Sequence, residues 1–230
     1  MPLPPPTVFA FFDVDDTLIS IKSMFSFQAY WYAIAGDPRG RSLFEDEMNR
    51  LRGEQVSWEV LNRRYYAYFA GREVAAVERI AAGWFSHVER TTPGGLYLPT
   101  VVARLQAHKA RGEVPVFVSG SFPALLAPVA ARLGVEVMLA TTLETAGGRY
   151  TGAILPPQTI GEGKAEAIRA MLARTGVAAE CCYGYGDDIS DLPMLLAVGH
   201  PIVVRGGRGL EAEGERRGWP LLAPREVEVA

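Results

Sequence analysis

Two short segments each place three carboxylates within five residues or fewer, an arrangement that suggests chemistry. These segments are DVDDT at 13–17, with Asp13, Asp15 and Asp16, and GDDISD at 186–191, with Asp187, Asp188 and Asp191. Carboxylates this close repel one another unless a cation neutralises them. Mg²⁺ suits a site made of a few carboxylates and a substrate phosphate. Because aspartate and threonine favour helix N-caps, each segment alone also fits the start of a helix.

Two further features of the sequence could hold an anion. Ser119-Gly120-Ser121 follows an apolar run and precedes a predicted helix, so hydroxyl and backbone N–H groups would meet at a helix N-terminus, where anions bind. Lys164 begins another predicted helix and adds a positive charge. Each feature is weak alone, because Ser-Gly turns and solvated lysines are common.

The four features together specify phosphoryl transfer. A carboxylate can attack phosphorus and form an aspartyl-phosphate. A second carboxylic acid can protonate the leaving oxygen and then activate water, while a lysine and Mg²⁺ offset the charge of the phosphoryl oxygens. We therefore predict a Mg²⁺-dependent phosphatase that acts on a small-molecule phosphate monoester.

The segments between these features alternate between strand and helix patterns. Residues 7–12, TVFAFF, form an apolar run that stops at acidic residues, which indicates a buried strand of a parallel sheet. The other predicted elements are strands at VPVFV (114–118), VEVMLATT (135–142), ECCYGYG (180–186) and a final strand at PIVVR (201–205), helices at 99–111, 163–175 and 190–198, and a hairpin at 143–154. This alternation predicts an α/β fold with a doubly wound parallel sheet, whose ligand crevice lies beyond the carboxyl ends of the strands.

Residues 24–90 have a different character. Aromatic residues and arginines recur there at helical spacing and β-branched runs are scarce, which predicts several helices with no strand between them. Pro93-Gly94-Gly95 ends this block as a hinge or linker. We therefore predict two units, a catalytic core of residues 1–20 and 93–230 and a small inserted α-helical bundle, a cap, of residues 21–92.

The four motifs, in this order along the chain, resemble those of the haloacid dehalogenase-like (HAD) phosphatase superfamily. The resemblance implies a Rossmann-like core with Asp13 as nucleophile and Asp15 as general acid/base. It also implies a set of binding residues: Ser119, Gly120 and Lys164 for phosphate, the side chains of Asp13 and Asp187 with the backbone carbonyl of Asp15 for Mg²⁺, and Asp191, with Asp188 beside it, to hold the metal's waters or Lys164.

Spacing places the chain within that superfamily. Asp13 and Ser119 are 106 positions apart, which leaves room for a cap, whereas Ser119 and Lys164 are only 45 apart. With its helical insert, the chain resembles the phosphoserine-phosphatase-like branch, subfamily IB, in which a helical cap follows the first motif. The tail HPIVVRGGRGLEAEGERRGWPLL, from His200, resembles a bacterial group within that branch whose substrates vary.

The chain departs from phosphoserine phosphatases at Lys22, nine positions after Asp13. Those enzymes carry a glutamate there, which meets the amino group of the substrate. A lysine repels an ammonium group and attracts a carboxylate or a second phosphate, so we expect a substrate other than phosphoserine. The usual glycine and asparagine of the fourth motif are also replaced, by Asp188 and Ser190.

A loose alignment adds Arg64 to the residues that could determine specificity, because phosphoserine phosphatases hold the substrate carboxylate there. The alternative is that Lys22 and Arg64 are surface charges. Aromatic residues surround them, and a stripe of this kind forms a bundle core more often than a ligand wall. These aromatic residues are Phe27, Trp31, Tyr65, Tyr66 and Phe69.

Length and composition exclude several classes of protein. The chain has 230 residues and a formal net charge of −3, which suits one α/β core with a small second module and gives no electrostatic footprint for nucleic acid. No stretch approaches the roughly 20 apolar residues of a membrane helix, and the start lacks signal-peptide character. We expect a cytoplasmic enzyme without nucleic-acid or membrane partners, and its oligomeric state stays open. The adjacent Cys181 and Cys182 are predicted to be buried thiols.

Two other functions share parts of this chemistry. A phosphomutase also forms an aspartyl-phosphate but retains it for transfer back to a substrate, and the sequence leaves that alternative open. A phosphate-accepting signalling domain also uses acidic pairs, a hydroxyl and a lysine. Such domains place the accepting aspartate on a middle strand and end near half this length, so we disfavour that function.

Overall fold

The computed structural model describes residues 8–225, in which strands and helices alternate around one central sheet. The strands are β1 Phe9–Phe12, β2 Val114–Ser119, β3 Val137–Ala140, β4 Thr142–Ala146, β5 Arg149–Leu155, β6 Tyr183–Gly186, β7 His200–Val204 and β8 Leu221–Leu222. The helices are α1 Ser23–Ala35, α2 Pro38–Gly53, α3 Trp58–Ala67, α4 Val74–Thr91, α5 Pro99–Ala110, α6 Pro123–Leu133, α7 Glu162–Thr175, α8 Leu192–Leu196 and α9 Leu210–Arg217. None of these helices is long and apolar enough to cross a membrane.

The central sheet has six parallel strands in the order β3-β2-β1-β6-β7-β8. All four residues of β1 are buried, as expected for a central strand with helices on both faces. The predicted hairpin forms from β4 and β5, outside the central sheet. The α/β, Rossmann-like fold predicted from the sequence is therefore confirmed.

The helices α1 to α4 follow the first strand with no strand among them, and α5 then leads to the second strand. Local signals begin and end them. Asp37 caps α2 by accepting a hydrogen bond from the Gly40 N–H at 2.8 Å, and Ser57 caps α3 by accepting one from the Val60 N–H at 3.4 Å. α1 ends at Gly36, whose φ of 63° lies in the left-handed region.

Aromatic side chains form the interior of this helical block. Phe27, Tyr65, Tyr66 and Phe69 are fully buried. The bundle-core interpretation of the aromatic stripe is confirmed for Phe27, Tyr66 and Phe69, whereas Tyr65 also lines a cleft. Trp31 is only partly buried and lies under the guanidinium of Arg72, 4.2 Å from the ring centroid.

Two connections join the helical block to the sheet, and they run side by side. The Ser20 hydroxyl donates to the Gly95 carbonyl at 2.9 Å, and the Ser20 N–H donates to the Leu96 carbonyl at 2.8 Å. The Leu98 N–H donates to the carbonyl of Leu18 at 2.9 Å. Gly94 and Gly95 have φ values of 72° and 87°, in the region that favours glycine. The segment from Pro93 to Gly95 is thus a turn beside the first connection.

Several predicted element boundaries differ from the structure. The predicted strand ECCYGYG starts only at Tyr183, because a 3₁₀ turn occupies Ala179–Cys181. This turn exposes Cys181 while Cys182 stays buried, so the prediction of two buried thiols is wrong for Cys181. The predicted helix at 190–198 is shorter, since a 3₁₀ turn at Ile189–Asp191 precedes α8.

The chain also continues beyond the strand that the sequence predicts to be the last. α9 and β8 follow β7, and β8 extends the sheet by one parallel strand. With only two residues, β8 is too short to leave an alternation pattern. The ends of the predicted core, residues 1–7 and 226–230, lie outside the described residues, and Thr7 of the first predicted strand is among them.

Candidate active site

The topology brings the polar motifs to one edge of the sheet. β1 lies between β2 and β6, with Phe12 opposite Phe117 on one side and Tyr185 on the other. Parallel strands share a carboxyl edge, so the segments that follow these three strands meet there. They are 13–17, 119–121 and 187–191.

A buried group of carboxylates and one lysine lies at this edge. Asp13, Asp187 and Asp191 each offer an oxygen within 4.8 Å of the others. The ammonium of Lys164, at the start of α7, lies 2.5 Å from Asp13 Oδ1 and 2.6 Å from Asp191 Oδ1. The Thr17 hydroxyl donates to Asp187 Oδ1 at 2.8 Å. We call Asp13, Lys164, Asp187 and Asp191 the acidic cluster.

The negative charge of the acidic cluster is only partly neutralised, because three carboxylates share one ammonium group. Burial, reinforced by Asp13 and Asp191, raises the pKa of Asp187. Burial also raises the pKa of Asp191, although Lys164 opposes that shift. For Lys164 itself, burial alone would lower the pKa, but Asp13 and Asp191 raise it overall, so the lysine is charged. Oxygen donors that carry this excess negative charge fit a hard divalent cation such as Mg²⁺.

Asp15 is held differently from the acidic cluster. Its Oδ2 accepts hydrogen bonds from the N–H and the hydroxyl of Ser23, at 3.0 and 2.9 Å. Its Oδ1 is buried and has no hydrogen-bond partner among residues 8–225. Burial raises the pKa of Asp15 to about 7, an effect that Asp13 reinforces and Lys22 opposes. A carboxyl group that keeps a proton near neutral pH can act as a general acid.

The loop after β2 presents hydroxyls and backbone beside these carboxyl groups. The side chains of Ser119 and Ser121 are buried, and the Ser119 hydroxyl accepts from the Ser121 N–H at 3.1 Å. The Gly120 carbonyl accepts from Tyr66 and Asn62 of α3, at 2.8 and 3.0 Å. The helical block therefore fixes the loop that leads into α6.

Asp188 belongs to the same loop as Asp187 but contacts other partners. Its carboxylate accepts from the Ser190 N–H at 3.0 Å, from the indole N–H of Trp58 at 3.2 Å and from Arg208 at 3.1 Å. Asp188 and Asp191 form a capping box, so the helix-start interpretation of GDDISD is also confirmed. Capping orients Asp188 away from the acidic cluster.

The two predicted specificity residues lie in different places. Lys22 lines the active-site cleft and forms an ion pair with Asp16 at 2.9 Å. Burial would lower the pKa of Lys22, but the carboxylates of Asp187 and Asp16 raise it overall. Arg64 does not line the cleft. It is about half exposed and pairs with Glu47 on α2 at 2.5 Å.

One cleft contains every predicted site residue except Arg64. Its empty space, including the part open to solvent, is about 630 Å³. Most of the polar residues described above line this cleft, and α1 and α3 contribute most of its remaining lining. Sequence reasoning missed the lining residues Trp58 and Asn62, and also Ser23, which donates to Asp15. Ser121, which the sequence placed in the predicted anion-binding segment, also lines the cleft.

Comparison with known proteins agrees with this geometry. Residues 10–196 match the family model of the haloacid dehalogenase-like hydrolases. A probable phosphatase of Mycobacterium tuberculosis strain H37Rv is 34% identical over 228 residues, covering 93% of this chain and 74% of that protein. A protein of the same strain named phosphoserine phosphatase SerB1 is 29% identical over 223 residues, covering 94% and 70%.

Solved structures show the same fold. A Bordetella pertussis Tohama I protein of unknown function superposes with a TM-score of 0.79 at 27% identity, covering 95% of this chain and 99% of that one. A substrate-bound phosphoserine phosphatase superposes with a TM-score of 0.65 at 18% identity, covering 91% of both chains. At that identity the likeness concerns the fold alone.

Proposed function

The chain belongs to the haloacid dehalogenase-like hydrolases and is a phosphatase of that family, and we propose that it hydrolyses small-molecule phosphate monoesters through an aspartyl-phosphate on Asp13 with the help of Mg²⁺. One observation carries the proposal. The carboxylate of Asp13 lies 2.5 Å from the ammonium of Lys164, among further buried carboxylates and in the same cleft as a second, protonatable carboxyl group on Asp15.

The residues divide the chemistry between them. Asp13 attacks phosphorus, and the bond from phosphorus to the leaving oxygen breaks. Asp15 gives its proton to that oxygen, and the resulting carboxylate then takes a proton from the water that attacks the aspartyl-phosphate. Ser119, the backbone at Gly120 and Lys164 bind the phosphoryl oxygens, because they place a hydroxyl, N–H groups and a positive charge around one point.

The side chains of Asp13 and Asp187, with the backbone carbonyl of Asp15, are the proposed Mg²⁺ ligands. Asp191 positions them, since its Oδ2 accepts from the Asp187 N–H at 3.1 Å while its Oδ1 holds Lys164. When bound, Mg²⁺ would neutralise the carboxylates and the phosphoryl oxygens, so that the phosphate can approach Asp13.

Residues 21–92 are the proposed cap over this cleft. Contacts between this segment and the rest of the chain support the proposal, because they lie at the cleft itself. Trp58 reaches Asp188, and Asn62 and Tyr66 reach Gly120. Closure of the segment over a bound substrate would exclude water from the aspartyl-phosphate before it is hydrolysed.

The substrate is proposed to be something other than phosphoserine. Lys22 lines the cleft at the end occupied by Asp13 and Asp15. A cation there repels the ammonium group of phosphoserine. Of the two specificity residues predicted from the sequence, Arg64 lies outside the cleft, so we keep only Lys22 in this role.

Phosphate release with and without Mg²⁺ tests the proposal. We expect hydrolysis of p-nitrophenyl phosphate that stops with a chelator and returns with Mg²⁺. Asp13→Asn should abolish it while the protein stays folded, because an amide cannot attack phosphorus. Asp46→Asn, an exposed change on α2, is the matched control and should leave the rate unchanged. Activity that resists chelation, or that survives Asp13→Asn, would contradict the mechanism.

A further inference from the structure

Besides its polar residues, the cleft has a wall of apolar side chains. Met24 and Phe25 come from α1, and Leu61 and Tyr65 from α3. Trp58, the first residue of α3, and Ile160, which precedes α7, complete the wall. In the proposed mechanism the phosphoryl group lies among the carboxylates and Lys164, which leaves this wall for the alcohol that departs.

Two polar side chains beside this wall, Tyr65 and Asn62, are already engaged by the protein. The Tyr65 hydroxyl donates to the Met24 carbonyl at 2.8 Å. The Asn62 amide donates to the Gly120 carbonyl, and its oxygen accepts from Gln158 at 2.9 Å. A sugar or another polyhydroxylated leaving group would therefore displace these bonds or leave its own hydroxyls without partners, which is costly in a buried site.

Apart from Asp15, the proposed general acid, no carboxylate that lines this cleft within residues 8–225 and lies outside the acidic cluster has a free oxygen for an ammonium group. Asp188 is the nearest candidate by sequence, but both of its oxygens are occupied, Oδ1 by Trp58 and Ser190 and Oδ2 by Arg208. The remaining cation of the cleft outside the acidic cluster, Lys22, is paired with Asp16.

The same contacts hold Trp58 in one orientation. Asp188 fixes the indole N–H, and the guanidinium of Arg208 lies 4.6 Å from the centroid of the ring. Because Trp58 also lines the cleft, a flat apolar group bound there could contact this oriented ring.

Building on the proposed function, we propose that the cleft selects phosphate monoesters whose alcohol has an apolar body, with Trp58 as the main specificity residue. An aromatic or aliphatic group would lie against the wall between Trp58 and Ile160, and it would need no polar partner from the protein. Binding of the leaving group would then rest on burial of apolar area.

The test compares esters of primary alcohols, whose leaving oxygens have similar basicity. 2-Phenylethyl phosphate and hexyl phosphate represent the apolar class, and phosphoethanolamine and glycerol 1-phosphate represent the polar class. We expect kcat/KM with Mg²⁺ to favour the apolar class by about tenfold or more, the range that an apolar contact in a pocket provides. The preference ratio is the quotient of kcat/KM for 2-phenylethyl phosphate and for phosphoethanolamine.

Two substitutions connect this ratio to the wall. Trp58→Ala should lower the preference ratio by about tenfold, whereas Trp58→Phe, which keeps an aromatic ring, should retain most of it. Ile160→Thr shortens the side chain, introduces a hydroxyl at another residue of the wall and should lower the same ratio. Trp31→Ala, a tryptophan of the helical block outside the cleft, should leave the ratio unchanged.

The outcomes separate this inference from the function on which it rests. Equal or better hydrolysis of the polar esters, or an unchanged preference ratio in both Trp58→Ala and Ile160→Thr, would overturn the apolar selectivity while the phosphatase function stands. Failure to hydrolyse even p-nitrophenyl phosphate with Mg²⁺ would contradict the proposed function, and this inference would fall with it.

Discussion

The acidic cluster at the carboxyl ends of the strands can be compared with a second group of ionisable side chains at the end of α5, in which only His108 is fully buried. In that second group, which we call the histidine cluster, the ring of His108 contacts Glu113 through Nδ1 and the Tyr185 hydroxyl through Nε2 at 2.8 Å, and Arg111 pairs with Glu113 at 2.7 Å. Burial lowers the pKa of His108, which keeps the ring neutral.

The two clusters differ in how completely their charge is compensated. The Glu113 carboxylate has a guanidinium beside it, and hydrogen bonding to Arg111 lowers the pKa of Glu113. In the acidic cluster, three carboxylates share the Lys164 ammonium, and the pKa of Asp187 is raised. Buried charge that a fold leaves uncompensated costs stability, so the difference indicates which cluster is kept for chemistry.

The largest expected effect distinguishes Asp15 from any group of the histidine cluster. Asp15→Asn should lower kcat/KM on an alkyl phosphate by about 10²–10⁴-fold, the contribution of a positioned acid. Since the acid must be protonated and the pKa of Asp15 is raised to about 7, kcat/KM should fall as the pH rises above that value. This decrease of kcat/KM with rising pH should be absent in Asp15→Asn. If the decrease persists in that variant, another group is the acid.

A second effect sharpens the comparison at the metal. Asp187→Asn should raise the Mg²⁺ concentration for half-maximal activity by about tenfold or more, because one of few anionic ligands is lost. Calorimetry with Mg²⁺ alone should show the same weakening. Glu113→Gln removes a carboxylate from the histidine cluster and should leave the Mg²⁺ requirement unchanged. An equal rise in the Mg²⁺ requirement of Asp187→Asn and Glu113→Gln would contradict the assignment of the metal site to the acidic cluster.

A smaller effect concerns selectivity at the carboxylate end. Lys22→Glu replaces a cation that repels an ammonium group with an anion that attracts it. The ratio of kcat/KM for phosphoserine to that for p-nitrophenyl phosphate should rise by about fivefold, as expected for a partly exposed ion pair. Lys109→Glu is the charge-matched control. In the unmodified protein the Lys109 ammonium contacts the Leu133 carbonyl. Efficient phosphoserine hydrolysis by the unmodified enzyme would contradict the role of Lys22.

The smallest effect is on stability and belongs to the histidine cluster. The pKa of His108 is lowered by burial and that of Glu113 by Arg111, so both groups bind more protons when the chain unfolds. Stability should therefore be fully present above the unfolded pKa values and decrease as the pH falls below them. The raised pKa values of Asp15, Asp187 and Asp191 act in the opposite direction over the same range, so the contribution of His108 is measured as a difference between two proteins. Between about pH 7.5 and about pH 5.5, the unfolding temperature of the unmodified protein should fall relative to that of His108→Gln. An unchanged difference between the two proteins would exclude this contribution of His108.

The comparison also shows what the sequence could and could not predict. Asp13, Lys164 and Asp187 were predicted because motif order and the carboxyl ends of parallel strands are features of the chain itself. Trp58 and Asn62 were missed because their place in the cleft depends on how α3 packs against the loops after β2 and β6, which no local spacing records. Arg64 was placed by a loose alignment, and a half-turn of helix suffices to point such a residue at Glu47 instead.

Detection of the phosphorylated aspartate tests the central claim most directly. Enzyme turning over p-nitrophenyl phosphate with Mg²⁺ would be quenched in acid and its peptides analysed by mass spectrometry, in the unmodified protein and in Asp15→Asn. We predict a phosphoryl group on Asp13, at higher occupancy in Asp15→Asn, because that variant lacks the base that activates water. A phosphoryl group on any other residue, or turnover with no phosphorylated peptide in either protein, would contradict the account.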